Sequence, residues 1–107
     1  MQKKRTGPDP VEPVSRKGVR YEALHWGKER GLGQNGGYVA AIDEATGEEL
    51  WLLKIYDVVY DDDMEDDKQD LFISSLKLSR WRDRLTVRDE RGGRYVVDLA
   101  TRTVEPA

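Results

Sequence analysis

A chain of 107 residues supports one small domain and leaves no material for a second core. With no cysteine and one histidine, it excludes a disulfide framework, a thiolate metal site and a His-rich zinc centre. Charged residues make up 36% and apolar residues 37%, with a net charge of −3, and three Trp, five Tyr and one Phe supply core material that a disordered chain would lack.

The sequence divides into four charge blocks. Residues 1–17 are basic and hold Pro8, Pro10 and Pro13, whose spacing forbids helix and weakens strand, so they read as a disordered or extended arm. Residues 18–56 are close to neutral. Residues 57–70 carry eight acidic residues against one lysine, and residues 71–107 are again net basic. Residues 18–104 read as one antiparallel β domain with the acidic loop 57–70 inserted. No apolar run reaches the ~20 residues of a membrane span. Thr6-Gly7-Pro8 follows the basic Met1–Arg5 where a secretory signal would be apolar, so a cytoplasmic protein is expected.

In chain order, Val19–Trp26 alternates with period two, with Val19, Tyr21, Ala23 and His25 on one face. Tyr38–Asp43 is a second strand. Its rival reading is a helix over Tyr38–Trp51, against which Thr46-Gly47 stands. Leu50–Tyr56 is apolar on both faces and is expected to be the central, doubly covered strand, with Val58–Tyr60 as an extension past a bend. Within Leu71–Leu78 the pair Leu71/Ile73 is out of phase with Leu76/Leu78, which predicts a bulge at Ser74-Ser75. Leu85–Arg88 and Tyr95–Leu99 form a hairpin around Gly92-Gly93. The expected fold is all-β: a single antiparallel sheet, a sandwich or a partly open barrel of about six strands.

One segment occurs twice. Ala41-Ile42-Asp43-Glu44-Ala45-Thr46-Gly47 is echoed by Val96-Val97-Asp98-Leu99-Ala100-Thr101-Arg102, and Gly37 and Gly92 fall at the same offset of 55 residues. In such a corner Asp and Thr accept backbone N–H bonds and Gly takes the left-handed position. Residues 37–51 as a whole, with Gly37, the run through Ala40, Ala41 and Asp43, the Thr46-Gly47 turn and Trp51, resemble one blade repeat of the quinoprotein-like β-propellers. The second copy departs from that pattern, with Arg102 for the turn glycine and no Trp. The resemblance implies hairpins of that shape. A full propeller needs at least about four blades, so no propeller and no cofactor site is carried over.

Several constellations are candidates for chemistry. Gly31-Leu32-Gly33-Gln34-Asn35-Gly36 spells G-x-G-x-x-G, but a strand rather than a helix follows, so it reads as a hairpin loop and not a dinucleotide site. Residues 27–37 still place Lys28, Arg30, Gln34 and Asn35 beside Trp26, cationic and amide donors next to an aromatic surface, as in a binding loop. His25, with a nearby carboxylate, is the alternative centre of a small-ligand or enzymatic site. Asp61, Asp62, Asp63, Asp66 and Asp67 form an acidic run that lacks the glycine and twelfth-position acid of a calcium loop. It reads as a docking surface for a basic partner or as a solvated loop. Arg80, Arg82, Arg84, Arg88, Arg91 and Arg94 crowd around Trp81, a nucleic-acid signature set against the negative net charge and the interspersed Asp83, Asp89 and Glu90. Those arginines are expected to face the acidic loop, within one chain or across a homodimer. The sequence therefore points to a non-catalytic module that binds a protein partner through the Gly-rich loop 27–37, the acidic loop 61–70 or both. No catalytic residue, metal, cofactor, nucleic acid or membrane enters that reading.

Overall fold

The computed structural model describes residues 8–60 and 69–107. The chain is all-β. Among the described residues, eight strands form two four-stranded antiparallel meanders, one in order β1-β2-β3-β4 and the other β5-β6-β7-β8. The first comprises β1 (Val14–Arg16), β2 (Val19–Leu24), β3 (Tyr38–Asp43) and β4 (Glu49–Lys54). The second comprises β5 (Ile73–Leu78), β6 (Arg84–Asp89), β7 (Arg94–Asp98) and β8 (Thr103–Pro106).

Two strands exceed the six expected. β1 lies inside the segment read as an arm. It forms because Lys17 and Gly18 are both left-handed (φ 53° and 79°), the two-residue turn whose twist suits a tight hairpin. β8 ends on Pro106 and is an edge strand, where proline's missing N–H is tolerated. The expected centre also moves. β4 is an edge strand of the first sheet, with Leu50 47% exposed, while β3 is its most buried strand. Val58–Tyr60 is not a strand, and Val59 is exposed.

The alternation works as read. Tyr21 of β2 stands opposite Ala41 of β3, which stands opposite Trp51 of β4. In the second sheet Val87 pairs with Leu76 and Tyr95, and Leu85 with Leu78 and Val97. These two inner faces close on one core of Tyr21, Val39, Ala41, Ile55, Ile73, Leu76, Leu85, Val87 and Val97. The bulge falls where the phase changes. The register slips between Ile73 and Ser75, and the Ser74 hydroxyl donates to the carbonyls of Arg88 and Asp89.

The repeated segment is the corner after the third strand of each sheet. Asp43 Oδ1 accepts from the N–H groups of Ala45 and Thr46 at 2.8 and 3.3 Å. Asp98 Oδ1 accepts from those of Ala100 and Thr101 at 2.9 and 3.3 Å. Gly47 (φ 76°) and Arg102 (φ 58°) then occupy the same left-handed position, each N–H donating 2.7 Å to the corner aspartate's carbonyl. A side chain in that conformation costs about 1–2 kcal/mol. Gly47→Arg is therefore expected to lose about 1 kcal/mol in urea unfolding. Arg102→Gly should move stability in the opposite direction by less, because glycine also loosens the unfolded chain. A larger loss at Arg102→Gly than at Gly47→Arg would show that the two corners differ.

Candidate functional site

The Gly-rich loop is built around its own amides. A 3₁₀ turn over Gly27–Arg30 is closed by Asn35. The Asn35 carbonyl accepts from Gly27 N–H at 2.9 Å, its Oδ1 from Lys28 N–H at 3.1 Å, and its Nδ2 donates to Asp70 at 3.1 Å. Gln34 is buried. Its Nε2 donates to the carbonyls of Gly36 and Tyr56, both at 2.8 Å, and its Oε1 accepts from Val58 N–H at 2.8 Å. Of the two amides singled out as ligand donors, Gln34 thus ties the loop to the segment after β4, and Asn35 ties its own turn to Asp70. Arg30 forms a bidentate pair with Glu49 at 2.7 and 2.9 Å, and that bond holds the Glu49 carboxyl below its ordinary range. The Lys28 ammonium lies 4.0 Å from the Tyr60 ring centroid. Trp26 is 44% exposed, its ring against Phe72 at 5.8 Å, and Arg30 is exposed as well.

His25 also meets Phe72 in a T-shaped contact, 5.5 Å between ring centroids at an interplanar angle of 85°. Asp61, Asp62, Asp63, Asp66 and Asp67 lie outside the described residues. Asp70 is buried and bonded to Tyr60 and Asn35, a structural role for the last carboxylate of that acidic block. Among the described residues no three His, Asp or Glu side chains gather to hold a metal ion.

Where the two sheets meet, Tyr56 donates to the Leu71 carbonyl at 2.7 Å and stacks on Tyr95 at 5.2 Å. Tyr95 in turn donates to the buried Asp89 at 3.1 Å. Burial, then the Asp89 charge, pushes the Tyr56 phenol far above its ordinary value, and burial with the Asp89 bond raises Tyr95. The fold thus favours both phenols neutral. Unfolded tyrosines ionise near pH 10, so this stability is complete below about pH 10 and is lost above it, as the unfolded chain alone releases the protons. Phenolate absorbance is expected to reach its full value only as the far-UV signal of the sheets disappears, and Tyr56→Phe should soften that decline. Complete phenol ionisation with the sheets intact would contradict the packing.

The arginine-rich third offers a different arrangement. The outward row across the second sheet runs Ser75, Arg88, Arg94, and the next contains Lys77 and Thr86. With Arg80 these side chains line a cleft of about 860 Å³, and among the described residues no carboxylate lines it. Arg88 and Arg94 stand directly opposite one another, a like-charge pair that costs stability by itself. At the rim the β5–β6 hairpin carries Trp81, 87% exposed, between Arg80 and Arg82. The hairpin is braced from the other sheet. The Arg16 guanidinium of β1 donates to the carbonyl of Arg82 at 2.9 Å and to that of Ser79, and Arg82 N–H donates to Ser79 Oγ at 3.3 Å.

No family model, curated protein or solved structure matches the chain. The site must speak through its own chemistry. No helix among the described residues is long and apolar enough to cross a membrane. The sequence groups these arginines around Trp81 but does not say which of them share a face. The signal lay in the alternation of Arg84, Thr86 and Arg88, and only the strand register places Arg94 beside Arg88.

Proposed function

We propose that the protein is a non-catalytic docking module whose principal contact with a macromolecular partner is the β5–β6 hairpin and the adjoining outer face of the second sheet. The observation that carries this is Trp81, 87% exposed between two arginines on a hairpin braced by Arg16. Exposing a Trp to water forfeits the burial of a large apolar side chain, and Trp and Arg are the residue types that dominate binding hot spots. A brace across the two sheets limits the ordering entropy a partner would have to overcome. The Gly-rich loop supports the same reading more weakly, since its amides serve its own backbone and Trp26 rests on Phe72. The likeness to propeller blades is carried no further than the shape of the repeated corner.

The test passes lysate of the source cell over the immobilised parent chain and over Trp81→Ser and Trp26→Ser variants. At least one macromolecule should be retained by the parent and by Trp26→Ser but not by Trp81→Ser. Retention indifferent to Trp81, or none above an unrelated protein, would sink the reading.

A further inference from the structure

We infer that the partner of this face is single-stranded nucleic acid, with phosphates held in the cleft of Lys77, Arg80, Arg88 and Arg94 and a base stacked on Trp81. This rests on the docking reading above and names its ligand class. The first argument is charge. The four cationic side chains are exposed, and among the described residues none of them makes an ion pair and no carboxylate lines the cleft. The opposed Arg88 and Arg94 repel until an anion lies between them, so a phosphate gains twice, by attraction and by relieving that repulsion. The net charge of −3 does not decide the matter. It sums the whole chain, whereas a bound strand senses charges within a screening length of about 8 Å at physiological salt.

The second argument is shape and chemistry together. Ser75 and Thr86 lie between the cations and offer hydroxyl donors to phosphate oxygens, contacts that carry no sequence information. Arg80 belongs both to the cleft and to the hollow around Trp81, which Arg16, Lys17 and Arg82 line together with the Asp83 carboxylate, so the cationic and aromatic surfaces adjoin. A cationic groove ending in an exposed aromatic ring is the combination that binds unpaired strands, because every base has a face to stack while duplex bases do not expose theirs. An acidic protein segment would use the cations but gain little from the ring, which is why the observations favour nucleic acid.

The test uses the full chain and a fluorescein-labelled oligothymidylate of about 15 nucleotides, near the upper end of common site sizes, read by anisotropy. Binding should be saturable at low salt. Its logarithm should fall against log salt with a slope of about −2 to −3, as expected for four phosphate contacts on a single strand. Trp81→Ala should weaken binding about tenfold or more with the slope unchanged, as loss of one stacked base requires. Arg88→Ser with Arg94→Ser should reduce the slope by about 1.4, two phosphates' worth. Trp26→Ala should change neither. All these side chains are exposed, and an unaltered urea midpoint shows that the variants fold.

Three outcomes would overturn the proposal. No saturable binding at low salt rejects nucleic acid, and if lysate retention still depends on Trp81, the docking reading stands without it. Equal binding of a polyglutamate of the same length, indifferent to Trp81→Ala, identifies an acidic protein segment instead. A dimer that oligothymidylate does not dissociate assigns the face to a second copy.

Discussion

Phe72→Ala is expected to lose about 3–5 kcal/mol of unfolding free energy, as removal of a buried phenylalanine typically does. Phe72 is 1% exposed and stands just before β5, at the end of the segment that joins the two sheets. The His25 ring meets it at 5.5 Å and the Trp26 indole at 5.8 Å. On a further side the backbone of Gly36 approaches so closely that a Cβ there would lie 2.9 Å from the Phe72 ring and 2.5 Å from the Leu71 carbonyl. Glycine is required at position 36 by this approach, and nothing larger can refill the space if the ring is removed. The backbone on either side is tied down as well. Phe72 N–H donates to the Glu90 carboxylate at 3.1 Å, and Glu90 N–H donates to the Phe72 carbonyl at 3.0 Å. The cavity therefore stays open, which places the cost toward the upper part of the range. Against a typical total of about 5–15 kcal/mol, that is a large fraction of the stability of a domain this size. Urea unfolding should show the midpoint falling with little change in slope, and Phe72→Leu, which keeps part of the volume, should lose less. A loss under about 1 kcal/mol would mean that the first sheet's loop does not seat on this ring.

The same region shows how far the sequence could be read. Strands with one wet face were legible because alternation reports burial directly. This holds for β2, β5, β6 and β7, and a change of phase at Ser74 marked the bulge. The repeated Asp-x-Ala-Thr corner was legible because it rests on local hydrogen bonds that need no knowledge of the rest of the fold. Strand order was not. Leu50–Tyr56 carries apolar residues on both faces, which measures what a strand could bury but not which neighbours it has, and β4 proved to be an edge. β1 escaped notice because its three residues follow three prolines and owe their conformation to the turn at Lys17-Gly18 and to pairing with β2. The cationic face was half legible. Each arginine's outward position follows from alternation, but the pairing of Arg88 with Arg94 is a long-range fact of register. The hydrogen bonds of Gln34 and Asn35 to their own fold were illegible for a related reason. A polar side chain in a glycine-rich loop has the same letters whether it faces a ligand or its own backbone.

Gln34 makes that difference measurable. Gln34→Leu preserves much of the side chain's volume and removes its three hydrogen bonds, leaving the carbonyls of Gly36 and Tyr56 and the N–H of Val58 without that partner in a buried setting. A hydrogen bond contributes about 1 kcal/mol when made, but a buried group left without its partner costs about 1–3 kcal/mol. Water reaching one of the three groups would reduce the total, so a loss of about 3 kcal/mol is expected. Gln34→Glu offers a sharper contrast. It keeps an acceptor for Val58 N–H but, once ionised, turns an oxygen toward the carbonyls that received Nε2, which places a buried charge against two backbone oxygens. That variant should therefore be less stable than Gln34→Leu at neutral pH and should recover as the pH falls through the range where the carboxyl takes up a proton and becomes a donor again. Urea midpoints for the two variants at neutral and mildly acidic pH provide the comparison. If Gln34 instead faced a ligand, both substitutions would leave stability near that of the parent and lower only binding. A pH-dependent loss confined to Gln34→Glu identifies the amide as the clasp between the glycine-rich loop and the segment that follows β4.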